Sequence, residues 1–169
     1  MEKIASFEVD HDKLRQGLYT SRIDGKDGDI ITYDLRMTVP NQTFLTPAGA
    51  HTFEHLFATY ARMHSGKDVK DHVIYVGPMG CLTGFYAVVQ DLSQEKVLEM
   101  IKGAMVFVSE FTGEIPGAAR KECGNYKMHD LEKAKEYGKN MCEILKDWTT
   151  QKMNYAHAEK EIEQREFDF

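Results

Sequence analysis

The sequence has no apolar run long enough to span a bilayer. Its first residues, Met1-Glu2-Lys3-Ile4-Ala5, lack the hydrophobic stretch of a secretory signal. Both absences point to the cytoplasm. Cysteine is scarce, an odd 3 in 169 residues with none paired at short spacing, which excludes a disulfide scaffold and the usual structural zinc motifs and fits reduced thiols. Positive charge is also in deficit: 21 Lys and Arg against 27 Asp and Glu give a formal charge of −6 and a pI near 5.6. Neither nucleic acid nor an anionic membrane is a suitable partner for such a surface. There is no internal repeat, no low-complexity linker and no glycine fingerprint for a dinucleotide. The length suits one domain with a real core, expected over residues 1–155. A charged extension, 156–169, follows with Glu159, Lys160, Glu161, Glu163, Arg165 and Glu166, and reads as a solvated helix or frayed end.

What the chain does have is His51-Thr52-Phe53-Glu54-His55. Two imidazoles four residues apart on a helix share one face and can close on one metal ion, and a carboxylate just before the second is placed to work on a bound water or substrate. Thr46 suits the N-cap and Pro47 the first helical position. A mostly apolar segment from Ala48 through Met63 then runs to Ser65-Gly66. The plainer reading of His51 and His55 is a pair of hydrogen-bonded core histidines, but Glu54 in so apolar a helix needs a partner or a task.

Two histidines leave a catalytic ion one protein ligand short. Cys142 falls within the helical stretch Leu131 to Trp148 and reads as a small buried hydrophobe. Cys81, in a turn that feeds an apolar strand, and Cys123, followed by Gly124-Asn125, are both candidates, and spacing does not choose between them. His64, His72, His129 and His157 read as structural or solvated. Ile30 to Val39, Val73 to Val76 and Phe85 to Gln90 have strand character. Ser93 caps a helix to about Phe111. Without a regular strand–helix alternation, the fold class is α+β: two layers, a largely antiparallel sheet with helices packed on it.

Five motifs in order resemble the S-ribosylhomocysteine lyase (LuxS) family: Ser6-Phe7-Glu8-Val9-Asp10-His11, Asp34-Leu35-Arg36 with Pro40-Asn41, the His51 to His55 motif, Pro78-Met79-Gly80-Cys81, and Glu122-Cys123-Gly124-Asn125-Tyr126. The resemblance implies a metal held by His51, His55 and Cys123, acid–base residues Glu54 and Cys81, and substrate contacts from Ser6, His11 and Arg36. It implies cleavage of S-ribosylhomocysteine to homocysteine and the autoinducer-2 precursor 4,5-dihydroxy-2,3-pentanedione. Fe²⁺ is the implied metal, one per subunit, with Zn²⁺ or Co²⁺ as substitutes, in a homodimer with active sites at the interface. Phe53 replaces a more usual leucine, and Tyr75 stands where many relatives carry aspartate. Two other readings compete. One is a small zinc peptidase of the H-x-x-E-H type, disfavoured by the cysteines and the short chain. The other is a closed structural site of His51, His55, Cys81 and Cys123, which leaves Glu54 unexplained.

Overall fold

A computed structural model describes residues 9–158. Four strands, β1 (Gly17–Asp24), β2 (Ile30–Arg36), β3 (Val73–Pro78) and β4 (Gly84–Gln90), form one sheet in the order β1-β2-β4-β3. Every neighbouring pair is antiparallel. The helices are α1 (Pro47–Thr59), a short α2 (Lys67–Lys70), α3 (Gln94–Glu110) and α4 (Leu131–Leu145). The architecture is the α+β sheet-and-helix arrangement expected from the sequence.

Alternation along β4 sends Phe85, Ala87 and Val89 inward, all fully buried. Phe53 and Phe57 of α1 meet them, with Phe53 and Phe85 ring centroids 4.8 Å apart. Val97, Ile101, Ala104, Met105 and Val108 of α3 and Ala134, Met141 and Leu145 of α4 complete the core. Each such large apolar side chain contributes roughly 1.5–3 kcal/mol through removal from water. The Phe53 ring packs against both Phe57 and Phe85.

Several boundaries differ from the sequence expectation: β2 ends at Arg36 rather than Val39, and β3 runs on to Pro78 rather than stopping at Val76. β1 was not anticipated, because a bulge between Thr20 and Arg22 breaks its alternation. It is held from outside the sheet, where Trp148 Nε1 donates to the Leu18 carbonyl at 3.1 Å. The first helix leaves α geometry at Thr59 and continues as a π turn over Tyr60–His64. That turn closes when Ser65 N–H donates to the Tyr60 carbonyl five residues back. The last helix stops at Leu145 rather than reaching Trp148. Lys102 of α3 donates to the carbonyls of Lys146 and Trp148, and the indole turns into the core. No described helix is long and apolar enough to cross a membrane.

Candidate metal centre and the adjoining cleft

The start of α1 is fixed by its own sequence and by α4. Thr46 Oγ1 accepts from Gly49 N–H at 3.2 Å, Pro47 opens the helix, and Tyr137 of α4 accepts from Thr46 N–H at 2.9 Å. This sets the rotation of the helix, with Thr52, Phe53, Leu56 and Phe57 inward and His51, Glu54 and His55 half-buried along its edge.

The loop between α3 and α4 lies against that edge. His51 Nδ1–H donates to the Met128 carbonyl and His55 Nδ1–H to the Pro116 carbonyl, each at 2.8 Å. A carbonyl only accepts, so each Nδ1 carries a proton, and in the neutral ring Nε2 is then left with a free lone pair. Those two Nε2 atoms nevertheless face each other at 3.1 Å, with the rings edge-on at 77°. Two lone pairs at that distance repel unless a cation sits between them. Gly117 permits the close approach, since its φ of +70° is left-handed and a Cβ there would lie 3.3 Å from His55 Nδ1.

Cys123 Sγ lies 3.4 Å from His51 Nε2 and accepts from Asn125 N–H. On a tetrahedral divalent ion, two imidazole nitrogens would stand about 3.3 Å apart and a nitrogen and a thiolate about 3.6 Å apart. The observed 3.1 and 3.4 Å fit that set closely. Each imidazole is also anchored through its other nitrogen on a backbone carbonyl, as a ligating imidazole needs.

His129, which the sequence suggested was structural or solvated, joins the cluster: the ligand atoms of His51, His55, Cys123 and His129 all lie within 4.8 Å of one another. Thr52 Oγ1 donates to the Ala48 carbonyl and accepts from Asp130 N–H. The His129 Nδ1–H therefore donates to Thr52 Oγ1 at 3.1 Å, and its Nε2 faces Cys123 Sγ at 3.9 Å. Its ring, however, stacks on His51 at 4.2 Å with 23° between planes. All four residues still form one group that could hold a metal ion. His129 is a neighbour of the His51, His55 and Cys123 set. Its interval of six residues after Cys123 was the only signal available in the sequence.

Glu54 makes no hydrogen bond or ion pair among the described residues, which leaves its carboxylate uncommitted. Cys81 is exposed and lies in a cleft of about 340 Å³ with His11, Asn41, Phe44 and Thr83. The cleft is tied to the metal-binding helix through Leu45 N–H, which donates to the Leu82 carbonyl one residue before the Thr46 cap. His11 is held by Nδ1 on the Val9 carbonyl. Arg36 is buried, with Nη1 on Thr83 Oγ1 and Nη2 on Asp34 Oδ2 at 2.6 Å. Burial works against its charge, but Asp34 more than offsets this and the guanidinium pKa is raised. Burial also pushes the Cys81 thiol up. Hydrogen bonds at Thr83 and the charge of Arg36 outweigh it, and the net shift is downward. Cys142 is half-buried, and burial raises its thiol. Tyr75 is half-exposed on β3, and Ser6 lies outside the described residues.

Comparison with known proteins bears on the same residues. The family model described as S-ribosylhomocysteinase (LuxS) matches residues 4–152. A protein of Phocaeicola vulgatus named S-ribosylhomocysteine lyase is 44% identical over 163 residues, covering 94% of this chain and 100% of its own length. Proteins of the same name from Desulfotalea psychrophila and Clostridium acetobutylicum are 43% and 42% identical, each covering 92% of this chain and 99% of its own length. Full-length matches at this identity, together with a donor set that fits one divalent ion, lead to one conclusion: the chain belongs to the S-ribosylhomocysteinase (LuxS) family.

Proposed function

We propose that this chain cleaves the thioether of S-ribosylhomocysteine, giving homocysteine and 4,5-dihydroxy-2,3-pentanedione, with His51, His55 and Cys123 holding a divalent cation. The observation that carries the reading is the pair of Nε2 atoms facing each other at 3.1 Å beside the Cys123 sulfur, each ring anchored on a carbonyl through its Nδ1–H. Fe²⁺ is the metal we assign, with Zn²⁺ or Co²⁺ able to replace it, because two imidazoles and a thiolate suit all three. When bound, the ion supplies Lewis acidity that stabilises charge developing on a sugar oxygen.

The chain's own groups handle the protons. An unactivated thioether leaves only when a carbonyl stands next to the carbon that loses its proton. The carbonyl must therefore move from C1 to C3 of the sugar. The Cys81 thiolate takes a proton from C2 and returns it to C1, then takes one from C3 and returns it to C2. With the ketone at C3, Glu54 removes the C4 proton, the C5–S bond breaks, Glu54 returns that proton to the departing thiolate of homocysteine, and the enol left across C4 and C5 tautomerises to the dione. Ser6, His11 and Arg36 are proposed to hold and orient the substrate. We further propose a homodimer working in the cytoplasm with each site at the subunit interface, a reading supported by the open cleft around Cys81 and the exposed Phe44 beside it. A peptidase reading is disfavoured by the family match and by a thiolate third donor where such enzymes use a carboxylate.

The test is anaerobic incubation of the Fe²⁺-loaded protein with S-ribosylhomocysteine while new thiol is followed with a colorimetric reagent. Homocysteine should appear catalytically. Glu54→Gln, which keeps shape and removes the base, should lower kcat by about 10²–10⁴-fold. No thiol release from fully metal-loaded protein, or full turnover by Glu54→Gln, contradicts the assignment.

A further inference from the structure

Arg36, Thr83 and Cys81 form a chain of hydrogen bonds whose polarity is set at one end. A guanidinium has only donors, so Arg36 Nη1 donates to Thr83 Oγ1, at 2.5 Å, and the threonine oxygen accepts. The threonine proton is then available to the Cys81 sulfur, 3.0 Å away. The opposite polarity, with the thiol donating to Oγ1, would leave a hydroxyl hydrogen without an acceptor on a buried residue, because Thr83 Oγ1 has no further partner among the described residues. Arg36 is held in turn by Asp34, which accepts from the Tyr155 hydroxyl at 2.9 Å. Thr83 is itself fixed by its backbone, its carbonyl accepting from the N–H groups of Met37 and Thr38.

We infer that Thr83 is a positioning residue for the proposed base: its hydroxyl, directed by Arg36, donates to the Cys81 thiolate and holds the sulfur charged and aimed into the cleft. The inference deepens the lyase reading and depends on it for its purpose. The charged and titratable groups around the sulfur are Arg36 and Asp34 on β2, Tyr86 on β4, and His11 across the cleft. Arg36 is the cation among them. It reaches the sulfur through Thr83, so deleting the hydroxyl removes the side-chain donor to the sulfur while leaving the backbone N–H donors of Thr83 and Cys81 and the positive charge in place. The downward shift of the Cys81 thiol agrees with this arrangement.

The experiment needs no turnover. Cys81 is alkylated with iodoacetamide across pH in the metal-loaded protein, and modification of the Cys81 peptide is read by mass spectrometry. Thr83→Val should move the alkylation midpoint up by about one pH unit, so that labelling below the midpoint slows about tenfold. Thr83→Ser should restore the wild-type profile. Overlapping profiles for wild type and Thr83→Val, or a Thr83→Ser protein that behaves like Thr83→Val, overturn the inference. Should Thr83→Val fail to fold by circular dichroism, Thr83→Ala is alkylated across pH in its place, with the same upward shift expected and an unmoved midpoint overturning the inference. Failure of the lyase reading would appear separately, as metal-loaded protein with the expected alkylation profile and no thiol release from S-ribosylhomocysteine.

Discussion

At the scale of single residues, hydrogen-bond polarity decides what each group can do. The carbonyls of Met128 and Pro116 hold the Nδ1–H groups of His51 and His55, and this turns both Nε2 atoms toward one point where a cation would fit. The same logic governs Asp34 and Arg36, an ion pair at 2.6 Å with both side chains almost wholly buried. Asp34→Ala would leave the guanidinium charged in a desolvated place without its counter-ion. Such truncations cost about 3–5 kcal/mol, so urea unfolding of Asp34→Ala should show a loss of that order. A loss below about 1 kcal/mol, the range of an exposed pair, would contradict this account of the cleft floor. Glu54 differs because no partner in the described chain holds it, and its removal should affect turnover more than stability.

At the scale of elements, α1 was the most legible part of the sequence. Thr46-Pro47 marked its start, and the interval of four placed both histidines on one face. The cap is a local interaction, so its effect should be local in size. Thr46→Ala should lower stability by about 1 kcal/mol, within the roughly 0.5–2 kcal/mol usual for an N-cap, as read from the urea midpoint at unchanged slope. No change would mean that Tyr137, and not the threonine side chain, fixes the helix start. Features that depend on distant partners were not legible. The bulge in β1 hid its alternation, the π turn after Thr59 has no strong sequence mark, and α4 ends where Lys102 of another helix captures its last carbonyls. His129 and Thr83 belong to this class as well. One depends on Thr52, 77 residues away, and the other on Arg36, 47 residues away. Neither pairing leaves a spacing pattern.

At the scale of the whole molecule, the sheet and the three longer helices form a packed body. The loop between α3 and α4 is joined to it at the proposed metal centre, where His51 and His55 meet the carbonyls of Met128 and Pro116 and the Cys123 sulfur. An ion that binds only the folded chain stabilises it by mass action, by about 2.7 kcal/mol at one hundred times its dissociation constant. Removing metal with a chelator should therefore lower Tm, and re-adding Zn²⁺ should restore it. Amide exchange in the metal-free protein should quicken first between Phe111 and Asp130. A Tm indifferent to chelation would mean that the loop is held by other contacts. The resemblance read from five motifs and the family match agree over nearly the whole chain, so the reaction class was legible where individual contacts were not. A motif preserves the residues that chemistry requires, whereas packing tolerates many substitutes.

The central claim is a single divalent ion bound by two imidazoles and the Cys123 thiolate, and the absorption spectrum of the Co²⁺-substituted protein tests it most directly. Wild type should show thiolate-to-cobalt charge transfer together with the visible bands of a four-coordinate ion, and Cys123→Ser should lose the charge-transfer band. A cobalt spectrum without thiolate charge transfer in wild type, or one unchanged in Cys123→Ser, would contradict the account.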